Sequence, residues 1–325
     1  MTPLLLSIEQ EDPLSASILI EHGADANLAD SKAITPLMFA AGKGQLETLT
    51  LLLARGAVID ARSDTGQTAL LFAAAGKHVD ADRTLLSKGA DVNTADKQGT
   101  TALMLAAQAG SVELVESLLE AGANVGQQDK RGFSALIAAA WSGHDAVLRV
   151  LLQHGAKVNA VDGMGRNALM WAATRGHVEV METLLAHAAD VNAADRRGTT
   201  ALMLALGKAT AVDVLLAGGA GTGVRDARGF TPLMSAAWTG RVDAGQRLLA
   251  HGADIDARDT EQGRTSLIWA AVKGHTGFVN MLLAAGANAD IMDNAGQTAE
   301  SLAGKHKQHS VVRVLCDYRA KAAGD

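Results

Sequence analysis

Apolar and polar positions in this chain repeat on two scales. Over short spans apolar residues fall at helical spacing, as in Val112, Val115, Leu118 and Leu119, which predicts a helix with one buried face. Over long spans the whole pattern returns. A leucine, generally two residues after a Thr or Ser, recurs at positions 4, 37, 70, 103, 136, 169, 202, 233 and 267. The spacing is 33 six times, then 31 and 34, and 33 again to a tenth slot held by Glu300. A second mark, Leu-Leu followed by Gly-Ala, keeps a fixed offset at Leu52-Leu53 to Gly56-Ala57, Leu118-Leu119 to Gly122-Ala123 and Leu151-Leu152 to Gly155-Ala156. A third, Asp-x-x-Gly, precedes the repeats at Asp96–Gly99, Asp129–Gly132, Asp195–Gly198 and Asp226–Gly229. A period of this length marks a repeat architecture.

Each mark has a local physical meaning. Thr35, Thr68, Thr101, Ser134, Thr200 and Thr231 are expected helix N-caps, with Pro36 and Pro232 in a first turn where no backbone donor is lost. Small pairs such as Ala106-Ala107 and Ala139-Ala140 let neighbouring helices approach closely. A glycine near Gly44, Gly110, Gly143, Gly176 or Gly274 breaks the first helix, and the glycine before each Gly-Ala alanine ends the second in a left-handed conformation. Asp-x-x-Gly supplies the tight turn that follows.

A helix–turn–helix with a projecting turn at this period resembles the ankyrin repeat. The segments TPLMFAAGKGQLETLTLLLARGA and ALMWAATRGHVEVMETLLAHAADVNAADRRG carry the likeness. The resemblance implies an all-α repeat solenoid, ten repeats counting both caps. Residues 1–325 would form one domain: a cap at 1–29, internal repeats over 30–292 and a cap at 293–325. No single repeat can bury its own faces, so stability sums over repeats and their interfaces. Glu300, with Lys305, His306, Lys307 and His309, suits a solvated C-terminal cap closed by a helix near Val311 to Tyr318; Glu9, Glu11 and Asp12 suit the front. One departure is systematic. The family's His after Thr-Pro-Leu is replaced by Met38, Leu71, Met104, Ile137, Met170, Met203, Met234 and Ile268, which predicts an apolar seam between repeats.

Two irregularities stand out. Repeat seven (202–220) is two residues short, Ala188 just before it takes a slot that elsewhere holds Gly, and Gly221-Thr222-Gly223 replaces Asp-Val-Asn. These predict a soft joint over 186–224. In addition, TTALMLA occurs at 100–106 and 199–205. Arg-Gly-Phe recurs at 131–133 and 228–230, each followed by Ala-Ala-Trp, and Gly-Arg at 165–166 and 263–264, each followed by Trp-Ala-Ala. Repeats four to six therefore match repeats seven to nine, as a duplicated three-repeat block does.

Composition narrows the function classes. Aromatic residues are 3%, with four prolines, and net charge is −6, so there is no overall basic field of the kind nucleic-acid binding draws on. One cysteine, Cys316, excludes an intramolecular disulfide framework. No apolar stretch is long enough to span a membrane. Leu4 to Leu6 lacks a basic leader and meets Glu9 and Glu11, so it is not read as a signal peptide, and a cytoplasmic location is expected. His144, His177 and His275 fall in inter-helix turns and His22, His154, His187 and His251 at helix ends, which assigns them to structure. His306, His309 and Cys316 lack a fourth ligand and fit no zinc spacing. The serial aspartates stand about 10 Å apart along such a stack, too far to share acid–base work. Gly163-Met164-Gly165 and Gly218-Gly219 lead to no phosphate-binding lysine. No catalytic residue, metal or cofactor is expected, and the chain is not expected to be an enzyme.

The ankyrin resemblance implies binding on the concave face lined by turns and first helices. Basic residues concentrate at the turns, including Lys97, Lys130, Arg131, Arg166, Arg196, Arg197, Arg228 and Arg264. All four tryptophans lie on first helices: Trp141 and Trp238 five residues after their leucine, Trp171 and Trp269 two after, with Phe133 and Phe230 in the adjoining turns. Trp and Arg are the residues most enriched in binding hot spots. The offset-five pair is expected to face a partner, the offset-two pair to be half core, with Trp141 beside Trp171 and Trp238 beside Trp269 across repeat junctions. The expected function is an adaptor, scaffold or inhibitor, monomeric, gripping a protein with an acidic, partly apolar surface along repeats four to nine. The alternatives are a small-molecule or carbohydrate binder using the Trp platforms, and a nucleic-acid binder through the basic tips.

Overall fold

The computed structural model describes residues 2–322; Met1 and residues 323–325, the extremities of the two expected caps, lie outside the described residues. The described residues form twenty helices and no strand. They divide into two compact units, Met1–Gly163 and Met164–Asp325. The N-terminal unit holds α1 (Pro3–Glu9), α2 (Pro13–Glu21), α3 (Pro36–Gly42), α4 (Leu46–Ala54), α5 (Ala69–Gly76), α6 (Val79–Ser87), α7 (Ala102–Ala109), α8 (Val112–Glu120), α9 (Ala135–Ser142) and α10 (Asp145–Gln153). The C-terminal unit holds α11 (Ala168–Arg175), α12 (Val178–Ala186), α13 (Ala201–Leu204), α14 (Ala209–Ala217), α15 (Pro232–Thr239), α16 (Val242–Ala250), α17 (Ser266–Lys273), α18 (Thr276–Ala284), α19 (Ala299–Lys305) and α20 (His309–Ala322). Within each unit first helices pack on first helices and second helices on second helices in chain order. The fold is an all-α repeat solenoid.

The helices begin where their caps place them. Thr35, Thr101, Ser134, Thr200 and Thr231 each accept the backbone N–H three residues on, and Asn167 does the same at the head of α11. Thr68 does not. Its hydroxyl turns to that of Thr94 at 3.3 Å, so α5 starts without a side-chain cap. First helices end on left-handed Gly110, Gly143, Gly176, Gly240 and Gly274, a conformation that costs a Cβ-bearing residue about 1–2 kcal/mol. Turns then link repeats directly: Lys97 N–H donates to Thr65 O at 2.8 Å, Lys130 to Gln98 at 2.8 Å, and Ala227 to Arg197 at 2.8 Å. Isolated antiparallel bridges Ala95–Thr101, Gln128–Ser134 and Ala194–Thr200 close three of these turns.

The core is the repeated pattern made solid. All nine leucines of the ladder and all eight residues of the expected apolar seam are buried. Glu300, in the tenth leucine slot, pairs with Arg319 of α20 at 2.6 Å, which suits a last layer. The front cap is more apolar than its acidic residues suggest, since Leu6, Leu14, Ile18 and Leu28 are all exposed. Repeat seven is irregular as expected: α13 spans four residues, and Ala188 adopts φ +61°.

Candidate functional site

In the C-terminal unit the turn before α15 and the first helices α15 and α17 gather three aromatic rings. Trp238 and Trp269 lie 5.0 Å apart between ring centroids at 64°, Phe230 lies 5.1 Å from Trp269, and Phe230 lies 5.9 Å from Trp238. These are edge-to-face and tilted contacts, the geometry aromatic quadrupoles favour. Trp269, 6% exposed, is the anchor. Its indole N–H donates to Asp259 Oδ2 at 2.9 Å, so its one polar atom is satisfied inside the core. Phe230 is buried as well, and Trp238 is left half-buried at the outer edge.

Three cations cover the rings. The Lys273 ammonium stands 3.4 Å from the Trp238 ring centroid, Arg228 stacks on Phe230 at 4.3 Å, and Arg264 on Trp269 at 4.8 Å. Such contacts strengthen as they are desolvated. Spacing groups Arg264 and Arg166 with the turn tips, yet the structure lays both inward. Arg264, 16% exposed, donates to Asp293 Oδ2 at 3.1 Å. Arg166 lies over Trp171 at 5.0 Å and donates to Asp195 Oδ2 at 3.3 Å. Trp171, like Trp269, is buried. Burial alone would raise both carboxyls. The Thr199 and Arg197 amides with Arg166 outweigh it for Asp195, and the Gln297 and Ala295 amides with Arg264 for Asp293, so both are held below the ordinary carboxylate range.

The outward set is different. Arg228 forks onto Asp226 Oδ2 at 2.8 and 3.1 Å while its side chain stays 51% exposed, and Arg197 is exposed. In the N-terminal unit Arg131 makes the same fork onto Asp129 at 2.9 and 3.0 Å, stacks on Phe133 at 5.0 Å and is 76% exposed. Phe133 and Trp141 are half-buried. Lys273 escaped the sequence reading. Its only signal is its place one turn after Trp269 on the same helix, because its target, Trp238, belongs to the preceding repeat.

Three histidines join repeats. Nε2 of His78, His144 and His275 lies 3.1 Å from the carbonyl oxygens of Gly42, Gln108 and Trp238, each a repeat earlier. Nδ1 of His22, His154, His187 and His251 bonds the carbonyl four residues back in its own helix. Among the described residues no group of three or more His, Cys, Asp or Glu side chains is placed to hold a metal ion, and no helix is long and apolar enough to cross a membrane.

A family model described as ankyrin repeats (3 copies) matches residues 1–63, 37–129, 103–195, 160–226, 190–259 and 258–323. The chain belongs to the ankyrin repeat family. Ankyrin repeat proteins generally mediate protein–protein interactions. Similar proteins include the ankyrin repeat and KH domain-containing protein mask-1 of Caenorhabditis elegans, 45% identical over 73 residues, 22% of this chain and 3% of that protein. A putative ankyrin repeat-containing protein of Treponema pallidum is 37% identical over 90 residues, 27% of this chain and 30% of that protein. The human palmitoyltransferase ZDHHC17 is 35% identical over 89 residues, 27% of this chain and 14% of that protein. The matched stretches thus span less than a third of each relative, and the likeness lies in the ankyrin repeats.

Proposed function

We propose that this ankyrin repeat chain is a non-enzymatic interaction module, working as a monomer in the cytoplasm without a cofactor, that holds an acidic and partly apolar protein surface on its turns and first helices. One observation carries the reading. Trp238 is half-buried at the edge of a packed aromatic cluster and flanked by Arg228 and Lys273, both exposed. A rigid ring backed by core, beside cations that keep water contact, is the composition of a binding hot spot. Trp141 with Arg131 offers the same pair in the N-terminal unit. Phe230 and Trp269, with Arg264 stacked on Trp269, back Trp238 from the core.

The test is quantitative capture from native lysate with the wild-type chain beside a Trp141→Ala/Trp238→Ala double variant, each checked for an unchanged unfolding midpoint. Partners should be lost from the variant, since each hot-spot truncation costs about 2 kcal/mol or more. An identical set of captured proteins on a folded double variant would remove these tryptophans from the site.

A further inference from the structure

The duplicated block has a structural counterpart. Beside Trp238 lies a hollow of ≈ 190 Å³ lined by Thr199, Met203, Asp226, Arg228, Trp238 and the small hydroxyl residues Ser235 and Thr239. Five of these have identical counterparts 97 or 99 residues earlier in the N-terminal unit: Thr100, Met104, Asp129, Arg131 and Trp141. Ser235 and Thr239 correspond to Ala138 and Ser142, both still small.

The turn geometry is duplicated along with identity. In each copy one aspartate Oδ1 accepts two turn amides, Arg131 and Phe133 at 2.8 Å in one, Arg228 and Phe230 at 2.9 Å in the other. In each copy Oδ2 takes the forked arginine, and that arginine stacks on the following phenylalanine. The carboxylate is therefore committed to its own turn, and exposed cations set the field around the hollow. Arg228 lines the hollow and Arg131 holds its place in the earlier copy; Arg196 and Arg197, and Lys97 and Lys130, stand exposed on the same or adjoining turns.

We propose that the two copies are equivalent recognition sites, each taking one apolar side chain of an extended acidic segment, and that the natural partner presents this determinant twice. The proposal rests on the protein-interaction reading above and adds chemistry and stoichiometry to it. The thioether and indole give the hollow an apolar floor for a side chain of the size of Leu, Met or Phe. Arg228 and Arg131, with the exposed cations of the adjoining turns, favour flanking carboxylates, and charge complementarity of this kind selects partners. Two linked weak sites give avidity of 10²–10⁴ over one, provided a linker spans them.

The experiment begins with selection of a displayed library of random 12-residue peptides on the full chain, followed by calorimetric titration of the enriched peptides. Enrichment of acidic peptides with one apolar residue, binding at two sites per chain, is expected. Trp141→Ala and Trp238→Ala should each remove one site and the double variant both. Arg131→Glu and Arg228→Glu, exposed substitutions that spare the core, should do the same. A tandem peptide with linkers of graded length should gain at least tenfold in affinity. Acidic peptides that bind once per chain, or that lose nothing in one of the two single-site variants, overturn the paired sites and leave the interaction reading standing. Recovery of basic peptides overturns the determinant alone, and recovery of none overturns both.

Discussion

Phe278 of α18 fills the space that Gly245 leaves open on α16. A Cβ built on Gly245 lies 2.7 Å from Phe278 Cζ and 2.6 Å from Met281 Cε, closer than packed carbons approach. Gly245 occupies the second-helix slot that holds Leu49, Val115, Leu148, Met181, Val212 and Val279 elsewhere, all buried. Phe278 stands in a neighbouring slot that is Ala211 and Ala244 in the two preceding repeats. A large residue and a missing one have been exchanged across one interface.

Gly245→Ala should therefore destabilise the C-terminal unit although alanine is the better helix former. Overpacking costs about 1–3 kcal/mol, against a propensity gain of about 1 kcal/mol. Chemical denaturation would show it, and Phe278→Leu in the Gly245→Ala background should restore part of the loss. A Gly245→Ala chain more stable than wild type would show that the rings shift freely.

Asp82 sits in that same slot in repeat three. It is fully buried, and neither carboxylate oxygen has a hydrogen-bond partner. Burial pushes its carboxyl up to about 7, opposed by the adjacent Arg83. The folded chain then keeps a proton that the unfolded chain releases above the ordinary carboxylate value of 3.8. Stability should fall as pH rises from about 4 to about 7 and level off above, the sign expected when the folded state binds more protons. Asp82→Val should remove that slope and raise stability at pH 7.5 by about 4 kcal/mol, about three pH units at roughly 1.4 kcal/mol each. Melting curves from pH 4 to 8 on both chains decide it, and parallel curves would refute the buried proton.

Ala188 is the irregular helix terminus. The glycines ending the other second helices have φ between 78° and 91°, whereas Ala188 must hold +61° with a Cβ. Ala188→Gly should stabilise the chain by about 1 kcal/mol. Hydrogen exchange should find 186–224, which contains the four-residue α13, opening before repeats three to five. Uniform protection, unchanged by the glycine, would argue that repeat seven is fully repacked.

The two tryptophans of one cluster should behave oppositely. Trp269→Ala removes a buried ring and the donor to Asp259, and should cost about 3–5 kcal/mol of stability. Trp238→Ala, half-buried at the edge, should cost much less stability and more binding. Equal losses of stability in the two variants would place Trp238 in the core.

Architecture was legible in the residues because its causes are local and repeated. A cap such as Thr101, a left-handed glycine such as Gly110 and a leucine ladder act within one helix or one turn, and the period multiplies each signal until chance is excluded. The tryptophans were legible as a group for the same reason, since duplication printed them twice. Their division into core and surface was not. Trp269 and Trp238 differ in role because of a carboxylate, Asp259, a lysine, Lys273, and a ring, Phe230, brought in from neighbouring turns and helices. Arg264 and Arg228 read alike as turn cations, yet one spans 29 residues to Asp293 while the other folds back two residues to Asp226. Asp82 without a partner and Gly245 beneath Phe278 are likewise relations between stacked layers. Such relations depend on side-chain direction and on which layer lies next, and periodicity carries neither.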